Sequence, residues 1–491
     1  MMNENPFKKL GIQTLIYGLG TIVPRLLNYA ILTYYYTKKL EVQEYGIITE
    51  LYAYIALFLV VLTLGLETGY FKFSVDNDKK AVFSNCVLLL FFTNLAFIVG
   101  GIIFSKNIAV ALQYNDFPVF IRWSVLIVGL DSFVNIFIAK LRIEEKTYKF
   151  VFIQLLNIII TVILVLFFLE KLPDLVEKNA ESLIFKIFGY KEKVYYIFLA
   201  NFIASFIRMI IVLSELKNIQ LRFNRVLISQ ILLYSLPLLI AQFSGTINET
   251  IDRILLRLFL PEGTDTLYEL GIYGANYRIA VLMTLFIQMF RYAADPFYFS
   301  NYKKENSKLL YANVFKYFVV FCLIIFLLIT LYIDFFKFFI DEKFHSGLHI
   351  VPIIVLSSFL TGVLFNLNVW YRLTGKTVFG IYIIGTGAII TVVLNVLLIP
   401  VIGYLGCAVT HLASTVCMVL LSYFLSNRYY MIPYDVKKIL LYFTIAFVIF
   451  IIGYYVRIEN NILNTVKNSI MFVLFITYIF KKEKIINTFL E

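Results

Sequence analysis

Charged side chains inside long apolar runs are the residues of this chain with chemistry to explain. A charge near the middle of a bilayer costs about 2.5–3.5 kcal/mol on insertion scales, so each one retained there needs a reason. Arg25 lies midway along the apolar run 11–37, and Asp131 lies midway along 118–140. Glu67 closes the run 45–66. Glu249, Asp252 and Arg253 stand at the end of 226–248, and Arg278 and Arg291 lie in the early and late parts of 271–294. A guanidinium fork matches phosphate oxygens and stays charged at any physiological pH. Arg25, Arg278 and Arg291 come from the leading runs of the two halves and read as an anion-binding set. A buried carboxylate can take up H⁺ or a metal cation and so change charge between states. Glu67, Asp131, Glu249 and Asp252 are the candidates for such ion coupling. The competing reading is internal pairing: Arg25 with Asp131 or Glu67, and Asp252 with Arg253 or Arg278. Arg208 lies near enough to the end of its run to reach the headgroup zone.

The elements that must position these residues follow from composition. Of 491 residues, 61% are hydrophobic and 15% charged. A soluble protein of that make-up would expose too much apolar surface. The apolar residues come in runs of about 20, the length that crosses a bilayer as a helix, without the shorter alternating segments of a membrane barrel. The expected fold is all-α and polytopic, with about fourteen spans. Further spans fall near 82–104, 150–169, 194–214, 312–339, 348–371, 378–399, 405–426, 437–456 and 462–480. The formal net charge of +12 reads as basic loops held on the cytoplasmic side, not as a nucleic-acid surface. Lysine and arginine alternate between loops along the whole chain, which predicts cytoplasmic N- and C-termini. No cleavable signal is expected before the first run, which is too long for a signal peptide's apolar region.

Two segments reveal an internal repeat. Arg142–Thr147 reads RIEEKT and Arg372–Thr377 reads RLTGKT, 230 positions apart (372 − 142 = 230). At an offset of 228, Tyr45-Gly46 falls on Tyr273-Gly274, and Glu67-Thr-Gly-Tyr-Phe71 falls on Asp295-Pro-Phe-Tyr-Phe299. Spans one to six match seven to twelve in the same orientation. The expected organisation is a bundle over 1–225, a second over 226–436, and two further helices with a tail over 437–491. Parallel repeats of this kind suit alternating access around a central site. Pro24 and Pro237 bend the first helix of each half.

Other motifs carry less. Gly375-Lys376-Thr377 resembles the end of a phosphate-binding loop, but the position needing the first glycine is Trp370. His345 and His349 are four apart without an obvious third metal ligand, and His411 stands alone in its span. Cys86, Cys322, Cys407 and Cys417 fall in apolar runs and read as small core residues. No metal site, cofactor or hydrolytic triad is expected. Most of the 49 Phe and 35 Tyr suit helix ends and the membrane interface.

Several segments in order resemble one family. They are Lys8-Lys9-Leu10 through Tyr17-Gly18, Arg25-Leu26-Leu27-Asn28, Glu44-Tyr45-Gly46, Glu50-Leu51-Tyr52-Ala53-Tyr54, Glu67-Thr68-Gly69-Tyr70-Phe71, Tyr234-Ser235-Leu236-Pro237-Leu238, Asn248-Glu249-Thr250-Ile251-Asp252-Arg253 and Phe290-Arg291-Tyr292-Ala293-Ala294-Asp295-Pro296-Phe297. Together they resemble the polysaccharide and O-antigen flippases of the multidrug/oligosaccharidyl-lipid/polysaccharide (MOP) exporter superfamily, most of all the Bacteroidetes type. The resemblance implies a V-shaped pair of six-helix bundles in the bacterial inner membrane, acting as a monomer and not as an enzyme. It implies export of an undecaprenyl-diphosphate-linked oligosaccharide, with the cavity arginines at the diphosphate, of which Arg25 and Arg291 match positions in the resembling segments. Membrane lipids, a glycan polymerase and assembly proteins are the implied partners. The alternatives are a cation-coupled multidrug exporter of the same superfamily and a polytopic glycan polymerase.

Overall fold

The computed structural model describes residues 23–24, 26–178, 192–216, 223–302 and 304–483. Those residues form helices and no strand. A π-helical turn at Asn28–Thr33 and a helix at Tyr34–Lys39 lead into the long elements. These are α1 (Val42–Thr63), α2 (Leu66–Asp76), α3 (Lys79–Ile103), α4 (Pro118–Ile143), α5 (Thr147–Leu166), α6 (Lys193–Leu213), α7 (Arg225–Phe259) and α8 (Thr266–Asn301). They continue as α9 (Ser307–Leu331), α10 (Val351–Leu367), α11 (Val369–Leu373), α12 (Val378–Ile402), α13 (Tyr404–Tyr429), α14 (Val436–Tyr455) and α15 (Asn461–Glu483). Among the described residues, 13 helical stretches are long and apolar enough to cross a membrane. They coincide with the runs read from the sequence after the first, most of which lies outside the described residues. The chain is an all-α polytopic membrane protein.

Local signals set the helix boundaries. The carboxylate of Asp78 accepts from the Lys80 amide at 3.1 Å and caps α3. Asn224 caps α7 by accepting from the amides of Val226 and Leu227. Such side-chain acceptors satisfy first-turn N–H groups that have no partner within the helix. Apolar residues point outward as well as inward. Ile389, Val393 and Leu397, four apart on α12, are 67%, 51% and 60% exposed. A lipid solvent gives that stripe its reason, because aliphatic side chains meet no penalty there. Of the four cysteines, Cys417 departs from the core reading and is exposed.

Contacts group the chain into two units, Met1–Gly271 and Ile272–Glu491. In the first, α4 packs against α1, α2, α3, α5 and α6, and α7 packs along α1 and α2. Tyr70, Phe83, Phe137, Phe150 and Ile231 share its apolar core. In the second, α10 lies between α9 and α13, α12 pairs with α13, and α14 and α15 pack on α9. Glu483, with 3% of its side chain exposed, ties α15 to that unit through Lys316 and Lys438, each at 2.6 Å.

One backbone break stands out. Between α1 and α2, Leu64 and Gly65 both take left-handed conformations, with φ of +52° and +63°. A Cβ on Gly65 would stand 2.8 Å from the Ser235 carbonyl oxygen of α7. Only glycine meets both demands, the positive φ and the close approach.

Candidate functional site

The two repeated acids fall at equivalent ion pairs. In the first unit, Glu67 at the start of α2 accepts from the guanidinium of Arg142 at the end of α4. In the second, Asp295 on α8 accepts from Arg372 Nη1 on α11 at 2.6 Å. Each arginine also covers a phenylalanine: Arg142 lies 5.1 Å from the Phe71 ring and Arg372 4.5 Å from the Phe365 ring. The sequence repeat was read from these same four residues, and in each unit the acid meets the arginine of its own repeat.

Arg291 joins the second of these clusters. Its guanidinium lies 4.8 Å from the Phe365 ring, which Arg372 also contacts. Arg291 itself is exposed. Arg278 stands 13 positions earlier on the same unbroken helix. At 1.5 Å per residue the two are about 20 Å apart along the axis, too far to hold one diphosphate together. Arg25 lies outside the described residues.

The remaining acids are placed as follows. Asp131 Oδ1 is 3.7 Å from Arg208 Nη1, and Arg208 donates to Gln154 Oε1 at 2.9 Å. Arg208 thus turns to a half-buried carboxylate instead of reaching for the headgroups. Asp131 Oδ1 is buried and lacks a hydrogen bond among the described residues. Asp252 is 2% exposed and accepts from the Arg253 amide at 2.9 Å and from its guanidinium at 3.2 Å. Glu249, one turn earlier, is exposed, and its carbonyl accepts from Arg253.

Sequence reading missed a buried triad in the first unit. Glu50 is 1% exposed and pairs with Arg257 Nη1 at 2.7 Å. The Tyr114 hydroxyl donates to Glu50 at 2.5 Å and accepts from Arg257 at 2.7 Å. Arg257 also donates to the Leu112 carbonyl at 2.9 Å. Burial, followed by the Glu50 charge, holds the Tyr114 hydroxyl proton well above the usual tyrosine range. Glu50 sits inside the predicted run 45–66 and was legible there. Arg257 was hidden because α7 continues to Phe259, beyond the expected end at 248. At the repeat offset of 228, Glu50 corresponds to Arg278 (278 − 50 = 228), so the two halves carry opposite charges at one register position.

The histidines turn to protein atoms. His345 faces the carbonyls of Lys337 and Ile340 at 3.2 and 3.3 Å, and His349 faces that of Ser346 at 2.9 Å. His411 Nδ1 meets Ser357 Oγ at 2.5 Å. Among the described residues no His, Cys, Asp and Glu set could hold a metal.

Thirteen apolar helical stretches among the described residues, with charged pairs among them, define a polytopic helical membrane protein. The chain belongs to the polysaccharide biosynthesis protein family, which its residues 10–301 match. It is 24% identical over 298 residues to Lsg locus putative protein 1 of Haemophilus influenzae, covering 60% of this chain and 67% of that protein. Its fold is that of the MOP superfamily. It superposes on the lipid II flippase MurJ in an inward closed conformation with a TM-score of 0.66 at 12% identity, covering 96% of this chain and 99% of that one. An inward-facing multidrug resistance transporter of the MATE family gives a TM-score of 0.65 at 12% identity, covering 84% and 98%.

Proposed function

We propose that the protein moves a lipid-diphosphate-linked oligosaccharide from the cytoplasmic to the periplasmic leaflet of the bacterial inner membrane by alternating access. The observation that carries this reading is the duplicated acid–arginine pair, Glu67–Arg142 and Asp295–Arg372, in a chain of the polysaccharide biosynthesis family. Two like-built halves are what rocking about a central site requires. The bundles run over 1–225 and 226–436, with 437–491 appended, and both termini are cytoplasmic. Arg25 and Arg291 take the diphosphate, and Arg278 serves a separate point on the path. Glu67 works as the partner of Arg142. Among the acids, Asp131 is the best placed for proton coupling, because its buried Oδ1 has a lone pair to offer. Glu249 and Asp252 are the reserve candidates. The protein acts as a carrier of lipid-linked glycan and not as an enzyme.

Reconstituted vesicles carrying a fluorescent lipid-diphosphate glycan test this reading. Arg291→Ala should insert normally and lose most leaflet transfer, and Asp131→Asn should abolish its dependence on a pH gradient. Full transfer by well-inserted Arg291→Ala would remove the substrate site assigned here. Intact pH coupling in Asp131→Asn would move the coupling to Glu249 or Asp252.

A further inference from the structure

The first unit holds a polar feature that passage through intramembrane arginines does not use. Near one end of α3, α4 and α5 a cavity of about 440 Å³ opens beside residues 214–215. That volume lies within the roughly 300–1,000 Å³ of ligand pockets. Lys79, Lys80, Lys140, Lys146 and Lys149 line it, against the carboxylates of Glu144 and Glu215. The balance is three net positive charges (5 − 2 = 3).

Glu215 organises three of the lysines. Its side chain is 7% exposed and meets Lys149 Nζ at 2.5 Å, Lys146 Nζ at 3.0 Å and Lys140 Nζ at 3.4 Å. Lys140 also donates to the Glu215 carbonyl at 2.6 Å, and Lys149 to Ser214 Oγ at 3.0 Å. Hydrogen bonds to Glu144 and Glu215 raise the proton affinity of Lys146, so it stays charged. One carboxylate therefore fixes three ammonium groups without cancelling them. Lys79 and Lys80 line the same cavity from the first turn of α3, and neither forms an ion pair among the described residues. The first turns of α3 and α5 add the positive ends of two helices.

The second half shows that this is no by-product of a basic loop. At the repeat offset of 230, Lys140, Lys146 and Lys149 correspond to Trp370, Lys376 and Phe379. There Trp370 stacks on Tyr429 with centroids 5.8 Å apart, and Phe379 meets Tyr429 at 4.8 Å. The matching turn keeps its arginine, lysine and threonine, yet aromatic rings stand where Lys140 and Lys149 would be, and Lys376 Nζ lies over the Tyr429 ring at 4.8 Å.

We propose that this lysine cup binds a phosphate or diphosphate group. Ammonium groups from several directions suit tetrahedral phosphate oxygens, and the open cavity leaves room for the remainder of the ligand. The group could come from a lipid in the adjoining leaflet or from a soluble polyphosphate.

Full-length protein in phosphatidylcholine nanodiscs, titrated calorimetrically with inorganic pyrophosphate, decides the matter. Lys79→Ala/Lys80→Ala should weaken binding at least about tenfold, the loss of charge-assisted contacts. Lys106→Ala, an exposed lysine elsewhere in the first unit, should leave binding unchanged. Doping the discs with a polyprenyl phosphate identifies the source: weaker apparent pyrophosphate binding means a lipid ligand, and unchanged binding a soluble one. No measurable pyrophosphate binding by the wild type, or equal affinity in the double variant, overturns the proposal. The readout is binding alone, so its outcome stands apart from that of the transport assay.

Discussion

The two halves keep one ionic device and differ in the backbone and side chains around it. In the first, the chain breaks at Leu64 and Gly65, three and two positions before Glu67. At the offset of 228 those positions are Tyr292 and Ala293, and they lie inside the continuous helix α8. The acid–arginine pair is therefore independent of the break. The break gives the first half alone a point where α2 can change direction against α1, fixed by the contact of Gly65 with Ser235. The hubs differ too. Glu215 gathers lysines just beyond α6, whereas Tyr429 gathers aromatic rings at the end of α13. The ionic hub holds several ammonium groups around one carboxylate, whereas the aromatic hub takes up its one retained lysine, Lys376, over the Tyr429 ring.

Substitution can break or sharpen that comparison, and the hubs should respond most unequally. Trp370 is fully buried, so Trp370→Ala should cost about 3–5 kcal/mol, read as a large fall in the melting midpoint in detergent. Lys149→Ala in the first-half hub should cost less than about 1 kcal/mol, because that lysine is about one-third exposed. Equal costs would mean that both hubs are structural. Next in size is the break. Gly65→Ala should cost about 2–4 kcal/mol, from the left-handed backbone and the clash with the Ser235 carbonyl. Tyr292→Gly in the continuous helix should cost about 1 kcal/mol. If Gly65→Ala melts like the wild type, the backbone break is not needed for folding. The smallest effects belong to the paired charges. Double-mutant cycles on Glu67/Arg142 and Asp295/Arg372 should each return about 0.5 kcal/mol, since the partners are partly exposed. The second should be the larger, because Arg372 is less exposed than Arg142, with 24% against 45% of the side chain open.

Much of this architecture was legible because its signals are local. Apolar runs of bilayer length mark spans wherever they fall, and shared Arg, Lys and Thr at one offset survive alignment noise. The partners of the charges were not legible. Asp131 meets Arg208, 77 positions away (208 − 131 = 77). Glu50 meets Arg257, 207 positions away (257 − 50 = 207). Nothing in a hydropathy pattern says which faces of two helices will turn together.

By itself the sequence determined the class of protein and the order of the thirteen spans found among the described residues. Each of these follows from the cost of exposing backbone and charge to lipid, which acts on every segment separately. The tertiary structure alone decided which charges are spent on each other, where Gly65 is forced, and that five lysines converge on one cavity in one half. Those outcomes depend on helix rotation and crossing, which are set by packing between segments far apart in the chain.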